Sequence, residues 1–187
     1  MASSYGTDAG KTALRQEYLL AREFVGEADK ARADAAIRSR LESIALFRDA
    51  ELVLACVSRG RDVDTREIIA SALSAGKRVA LPRVAPDGVS YEFALIHAAD
   101  EVAPLGRALA AHELVGSICL VPGLVFDADG HRVAVDSDPM DAFLAFYPGE
   151  KVGLARTMQL SSNPLPHEPG DIPVDVLVTE CAVWSCR

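Results

Sequence analysis

The chain has 187 residues, half of them hydrophobic and a quarter charged, with a formal net charge of −8. That length suits one domain with a sizeable core, and the acidic balance excludes a general polyanion binder, which would carry a basic stripe. No apolar run approaches the roughly 18–20 residues that span a membrane, and the opening MASSYGTDAGK lacks the apolar centre of a secretory signal. We therefore expect a cytoplasmic protein, a monomer or small homo-oligomer, with no membrane or nucleic-acid partner.

Taken in order, Leu14, Tyr18, Leu19 and Phe24 recur at helical spacing and predict a helix over 8–24. Lys11, Arg15 and Arg22 fall on one polar face of it, which spacing alone reads as a solvated basic face. A second helix is expected over 29–49, with Ala36, Ile37, Leu41, Ile44, Ala45 and Phe47 as its apolar face. The unbroken apolar run at 51–58 reads as a strand buried on both faces, as in a parallel sheet. Residues 59–65 form the loop at its carboxyl end, where Asp64 or Thr65 can cap a helix over 66–75 that Gly76 ends. A strand over 77–82, closed by Pro82, completes a βαβ unit with a right-handed crossover.

After the turn Pro86-Asp87-Gly88, the alternation at 89–96 reads as an edge or hairpin strand, and 100–114 is weakly patterned. Residues 118–121 form a short buried strand, Pro122-Gly123 breaks it, and Leu124 to Phe126 resumes it. Asp127-Ala128-Asp129-Gly130 is a turn, with Gly130 supplying positive φ. Asp138-Pro139 then opens a helix through about 147, aspartate at the N-cap and proline at the first turn. Strands follow at 151–155 and 174–180, and the tail CAVWSCR is too short for an element. The pattern predicts one α/β domain over 1–187, three layers (α/β/α) around a mainly parallel sheet, with its site at the carboxyl ends of the strands.

The histidines and cysteines give no chemistry by themselves. No two of His97, His112, His131 and His167 have metal-ligand spacing, and no G-x-S-x-G, H-E-x-x-H, Walker loop or G-x-G-x-x-G is present. Cys56, Cys119, Cys181 and Cys186 are scattered and read as reduced thiols, since Cys181 and Cys186 have no second pair to complete a zinc set.

One stretch does carry a resemblance. LVPGLVFDADGHR, ending at Arg132, resembles the segment before the nucleotide loop of the 5-formyltetrahydrofolate cyclo-ligase (methenyltetrahydrofolate synthetase) family, which continues R-L-G-x-G-x-G-Y-Y-D. Here the same positions read Arg132, Val133, Ala134, Val135, Asp136, Ser137, Asp138, Pro139, Met140 and Asp141, so the arginine and final aspartate stand while the glycines and tyrosines are replaced. Lys11 and Arg15 match the family's opening K-x-x-x-R, and Asp62 stands where its E-x-D/E-T has glutamate. Gln159, Pro166, Glu168, Asp171 and Asp175 follow its closing pattern.

The resemblance implies a cyclo-ligase-like (Rossmann-like) domain that uses Mg-ATP and a folate substrate. It makes Lys11, Arg15 and Arg132 nucleotide ligands, Arg132 and Asp141 catalytic, Asp141 a metal ligand, and Asp62, Pro122, Gly123 and Phe126 substrate contacts. In the family reaction the formyl oxygen of 5-formyltetrahydrofolate takes the γ-phosphate, the other folate nitrogen closes the ring, and phosphate leaves to give 5,10-methenyltetrahydrofolate. Glycine lets a ligand touch backbone, whereas a carboxylate ~4 Å from a phosphate oxygen, at an effective dielectric near ~20, costs on the order of 4 kcal/mol. With Ala134, Asp136 and Asp138 in the loop, the sequence reads first as a family member with a folate-like or other small-molecule pocket and a lost or altered ATP step. The alternatives are a working ATP-dependent cyclo-ligase and a non-catalytic interaction module whose Asp-rich loop meets a partner.

Overall fold

The apolar runs beginning at Leu52 and Ile118 become adjacent central strands of one sheet. The computed structural model describes residues 4–104, 106–135 and 139–186. In chain order these form α1 (Ser4–Glu23), α2 (Glu27–Ser43), α3 (Ala45–Asp49), β1 (Leu52–Leu54), α4 (Arg66–Ser74), β2 (Arg78–Val84) and β3 (Tyr91–Ile96). β4 (Ile118–Val121), β5 (Val125–Phe126), β6 (Arg132–Val133), α5 (Met140–Leu144), β7 (Glu150–Leu154), β8 (Val176–Val178) and β9 (Val183–Ser185) follow. The main sheet has the order β3-β2-β1-β4-β7-β8-β9. Its inner strands run parallel, and the edge strands β3 and β9 are antiparallel to their neighbours.

Alternation along each strand divides the core into two faces. Val53, Val79, Ile118, Leu120 and Val152 meet Ile37 and Leu41 of α2, Phe47 of α3, and Ile68, Ile69 and Ala72 of α4. Leu52, Leu54, Cys119 and Val121 point the other way, against Phe126 and against Met140 and Leu144 of α5. β5 and β6 form a small separate hairpin, and α1 packs Leu14 and Tyr18 against its Val125 and Val133 and against Leu165. The result is the three-layer α/β arrangement expected from the sequence. Among the described residues no helix is long and apolar enough to cross a membrane.

Local chemistry explains the turns. At the end of α4 the Gly76 N–H donates to Leu73 O and the Lys77 N–H to Ala72 O, with Gly76 at φ +77. This double closure needs a left-handed residue and matches the expected glycine cap. At the tip of the β5–β6 hairpin, Gly130 has φ +82. There the Asp127 carboxylate accepts the N–H groups of Asp129, His131 and Leu165, at 3.1, 2.9 and 2.8 Å.

Several boundaries differ from expectation for physical reasons. The helix expected over 29–49 breaks at Ile44, which is extended at ψ 145. On an unbroken helix Phe47 would lie about 120° round from Leu41, and the break turns both into the same core. Pro82 does not close β2, because pairing with β1 has already ended at Ala80 while pairing with β3 runs on to Val84. Thr65 precedes α4 without capping it, since its hydroxyl donates to Cys56 O at 2.6 Å; Asp64 instead accepts the Arg66 N–H at 2.9 Å. The tail does form an element: β9 pairs with β8 beyond a turn in which Thr179 Oγ1 accepts the N–H groups of Cys181 and Ala182. Its residues are exposed, so no buried pattern announced it. The expected N-cap, Asp138, lies outside the described residues, and Pro139 precedes a helix that ends at Leu144.

Candidate functional site

The chain steps from β1 outward to β2 and β3, then returns to the other side of β1 as β4. Ligands of open α/β sheets bind where the strand order reverses in this way, outside the carboxyl ends. A cavity of about 380 Å³ lies there, lined among others by Cys56, Asp62, Tyr91, Pro122, Gly123 and Ala134.

The first wall is the loop after β1. Thr65 binds it back to the strand end, accepting the Ser58 N–H at 2.8 Å while donating to Cys56 O. A tight turn through Gly60, at φ +51, brings the Asp62 carboxylate onto the Arg59 N–H at 3.1 Å. Its other oxygen accepts from Arg22 Nη1 at 3.0 Å, so the basic face of α1 reaches the cavity wall. The second wall is Pro122-Gly123 after β4. The amide of Gln159 donates to Gly123 O and Leu124 O, both at 3.1 Å, and fixes this segment from β7's side. The third wall, Ala134-Val135, follows β6, and Arg15 Nε donates to Ala134 O at 3.0 Å.

Ion pairs gather around Arg132 of β6. Lys11 is paired with Asp171. Arg132 is buried, with Nη2 3.2 Å from Asp141 Oδ1, an oxygen that also accepts the Ile172 N–H at 3.1 Å. The Arg132 Nε and Nη2 groups make no hydrogen bond among the described residues, so the contact with Asp141 is one of charge, and an anion arriving there would satisfy both donors. Burial alone would raise the Asp171 carboxyl, but the Lys11 ammonium, the Glu168 N–H and the Arg132 charge outweigh it and hold the group below its usual range.

A lowered carboxyl gives a definite sign. The folded value lies below the unfolded one, so the stabilisation is complete above the ordinary carboxylate range, about pH 4, and fades as pH falls through the folded value. The melting-temperature difference between wild type and Lys11→Met should therefore be largest near neutrality and shrink below about pH 4. A constant difference into acid would show that Asp171 does not report on this pair.

The sequence-derived residues divide into two groups. Asp62, Pro122 and Gly123 line the cavity; Lys11, Arg15, Arg132 and Asp141 are not among its lining residues, though Arg15 touches the lining residue Ala134. Phe126 lies apart from both groups: it is fully buried and not among the residues that line the cavity. Its ring lies under Gly123, where a Cβ would come within 2.4 Å of Cζ, so it is a packing residue beneath the loop. Asp136 and Asp138, on which the expectation for the ATP step rested, lie outside the described residues. Sequence reasoning missed Asp34 and Arg156, a buried pair behind the first wall. The position of Arg156 directly after the strand 151–155 was the available signal.

For magnesium, the fit is partial. Oδ1 of Asp141 is engaged by Arg132 and Ile172, leaving one oxygen of a part-exposed carboxylate. Magnesium keeps several waters and takes one or two carboxylates plus substrate phosphates, so that single oxygen suffices only with a phosphate ligand present.

Together these features define an α/β domain with a cavity at the switch point of its sheet and Arg15 held against the adjoining loop. Residues 7–180 match the model of the 5-formyltetrahydrofolate cyclo-ligase family, and the chain belongs to that family. It is similar to the NMR structure of 5,10-methenyltetrahydrofolate synthetase from Aquifex aeolicus, at 28% identity and TM-score 0.79, covering 95% of this chain and 93% of that one. It also shares the fold of a 5,10-methenyltetrahydrofolate synthetase from Mycoplasma pneumoniae, at 17% identity and TM-score 0.73, covering 91% and 98%. No curated protein matches the chain significantly.

Proposed function

We propose that the chain is an ATP-dependent 5-formyltetrahydrofolate cyclo-ligase, acting in one-carbon metabolism. The observation that carries this reading is the cavity at the switch point, lined by Asp62 and by Ala134, with Arg15 held on the Ala134 carbonyl and Arg132 two residues before it. Asp62 accepts N–H groups of the ring end of the folate, on the side where Arg22 keeps its charge balanced. Pro122 and Gly123 lie against the substrate in the cavity. Lys11, Arg15 and Arg132 neutralise the triphosphate, and Arg132 offers its unused donors to the oxygens that gain charge during transfer. Magnesium supplies charge neutralisation when bound, with Asp141 as its protein ligand.

In the reaction the formyl oxygen attacks the γ-phosphorus and ADP departs. The second folate nitrogen then attacks the activated formyl carbon and loses its proton, and phosphate leaves with the former formyl oxygen. The absence of a disulfide among the described cysteines suits a cytoplasmic setting.

A second reading, a pocket with a lost or altered ATP step, is favoured by one sequence observation: Ala134, Asp136 and Asp138 where the family has glycine. Calorimetry with Mg-ATP, on wild type and on Ala134→Gly/Asp136→Gly/Asp138→Gly, separates the two. For a working enzyme, wild type binds Mg-ATP and forms the methenyl chromophore from 5-formyltetrahydrofolate. Absence of both, with ATP affinity at least ~10-fold higher in the triple variant (about 1.4 kcal/mol), would establish the second reading. Absence of folate binding as well would leave only an interaction module.

A further inference from the structure

We infer that Arg156, together with Asp34, is a positioning residue that sets the loop at 58–65 and through it the carboxylate of Asp62; the inference rests on the cyclo-ligase reading. Arg156 follows β7 by two positions and is 3% exposed, and Asp34, on α2, is 6% exposed. The guanidinium grips the carboxylate with two prongs, Nε to Oδ1 at 2.8 Å and Nη2 to Oδ2 at 3.0 Å. Its remaining reach goes to the loop: Nη1 donates to Arg61 O and Nη2 to Asp62 O, both at 2.9 Å. Asp34 Oδ2 in turn accepts the Asp64 N–H at 3.3 Å and Lys30 Nζ at 2.7 Å.

One ion pair therefore holds backbone groups of residues 61, 62 and 64, in the segment that contributes Asp62, Val63 and Thr65 to the cavity. A buried pair is a poor device for stability alone, because apolar residues of similar volume serve as well or better. What it offers here is geometry. Arginine's planar fork satisfies a carboxylate and two carbonyls at once, which a lysine cannot. Anchoring the carbonyls of 61 and 62 from behind leaves the Asp62 side chain on the cavity side. A ligand-binding group held by a supporting layer of this kind loses affinity when the layer loosens, even though the layer never touches the ligand.

Two variants test this. Asp34→Leu/Arg156→Met removes both members together, so neither is left buried without the other. Arg156→Lys keeps the charge but loses the fork. KM for 5-formyltetrahydrofolate and for Mg-ATP, kcat, melting temperature, and amide hydrogen exchange over 58–65 are measured for each. The expected result is a KM for the folate at least ~10-fold higher, about 1.4 kcal/mol, with KM for ATP and the melting temperature little changed and exchange faster in the loop. Folate KM unchanged in both variants would overturn the inference, and so would both KM values rising together with a falling melting temperature. If the double variant does not fold, Arg156→Lys decides alone by the same criteria. Should wild type itself turn over no folate, the cyclo-ligase reading fails separately; loop exchange then still decides the positioning role, and unchanged protection in the variants would end it.

Discussion

Replacing Lys11 by methionine is expected to lower kcat/KM for methenyl formation by roughly 100-fold or more, the range found when one preorganised charge donor is removed from a transferring group. Lys11 sits on α1 with Asp171 as its partner, and Arg132 lies close enough to contribute to the same carboxyl's shift. On the proposed reading this ammonium would neutralise the triphosphate, and such neutralisation strengthens as water leaves a site. The competing view is that Lys11 merely fastens α1 to Asp171. Asp171→Asn separates the two, since it breaks the same fastening and leaves the ammonium available. Steady-state rates at varied ATP should show Lys11→Met far more damaged than Asp171→Asn. Equal losses in both, or a Lys11→Met rate within ~3-fold of wild type (about 0.65 kcal/mol by the same conversion), would remove Lys11 from the nucleotide site.

The second large effect concerns stability. Phe126→Ala should cost about 3–5 kcal/mol and lower the melting temperature by roughly 6–20 °C. The ring is fully buried between two glycines, Gly123 and Gly153, at which added Cβ atoms would approach it to 2.4 and 2.9 Å. Backbone at that distance cannot collapse into the gap, so the variant keeps a cavity. Urea denaturation measures the loss. Because the ring supports the cavity floor from below, KM for the folate well under the melting temperature should move little. A large rise in KM with undiminished stability would make Phe126 a substrate contact.

The placement of Phe126 shows where the sequence was legible and where it was not. Burial on both faces is written directly into a run such as Ile118 to Val121, so the parallel strands were readable. The βαβ unit followed because Gly76 can end a helix in a way few other residues can. An apolar aromatic beside Pro122-Gly123 looks alike in sequence whether it faces a ligand or the core; only the glycines packed on its faces distinguish the cases. β9 was invisible because an exposed three-residue edge strand carries no burial pattern. Asp34 and Arg156 were missed for another reason: they are 122 positions apart, and a buried charge pair has no signature until the chain brings its halves together.

The helix α1 fixes a length as well as a surface. Lys11 and Arg22 are about 16 Å apart along its axis and within about 20° of three full turns, given 1.5 Å and 100° per residue. The cation meeting Asp171 and the cation meeting Asp62 are thus mounted on one stripe of a single ruler. Exchanging side chains between them leaves the ruler intact. Adding or deleting one residue there swings Arg22 by about 100° relative to Lys11, and no side-chain rotation restores both contacts. The spacing between these two positions is therefore constrained far more tightly than the identity of the residues that fill it.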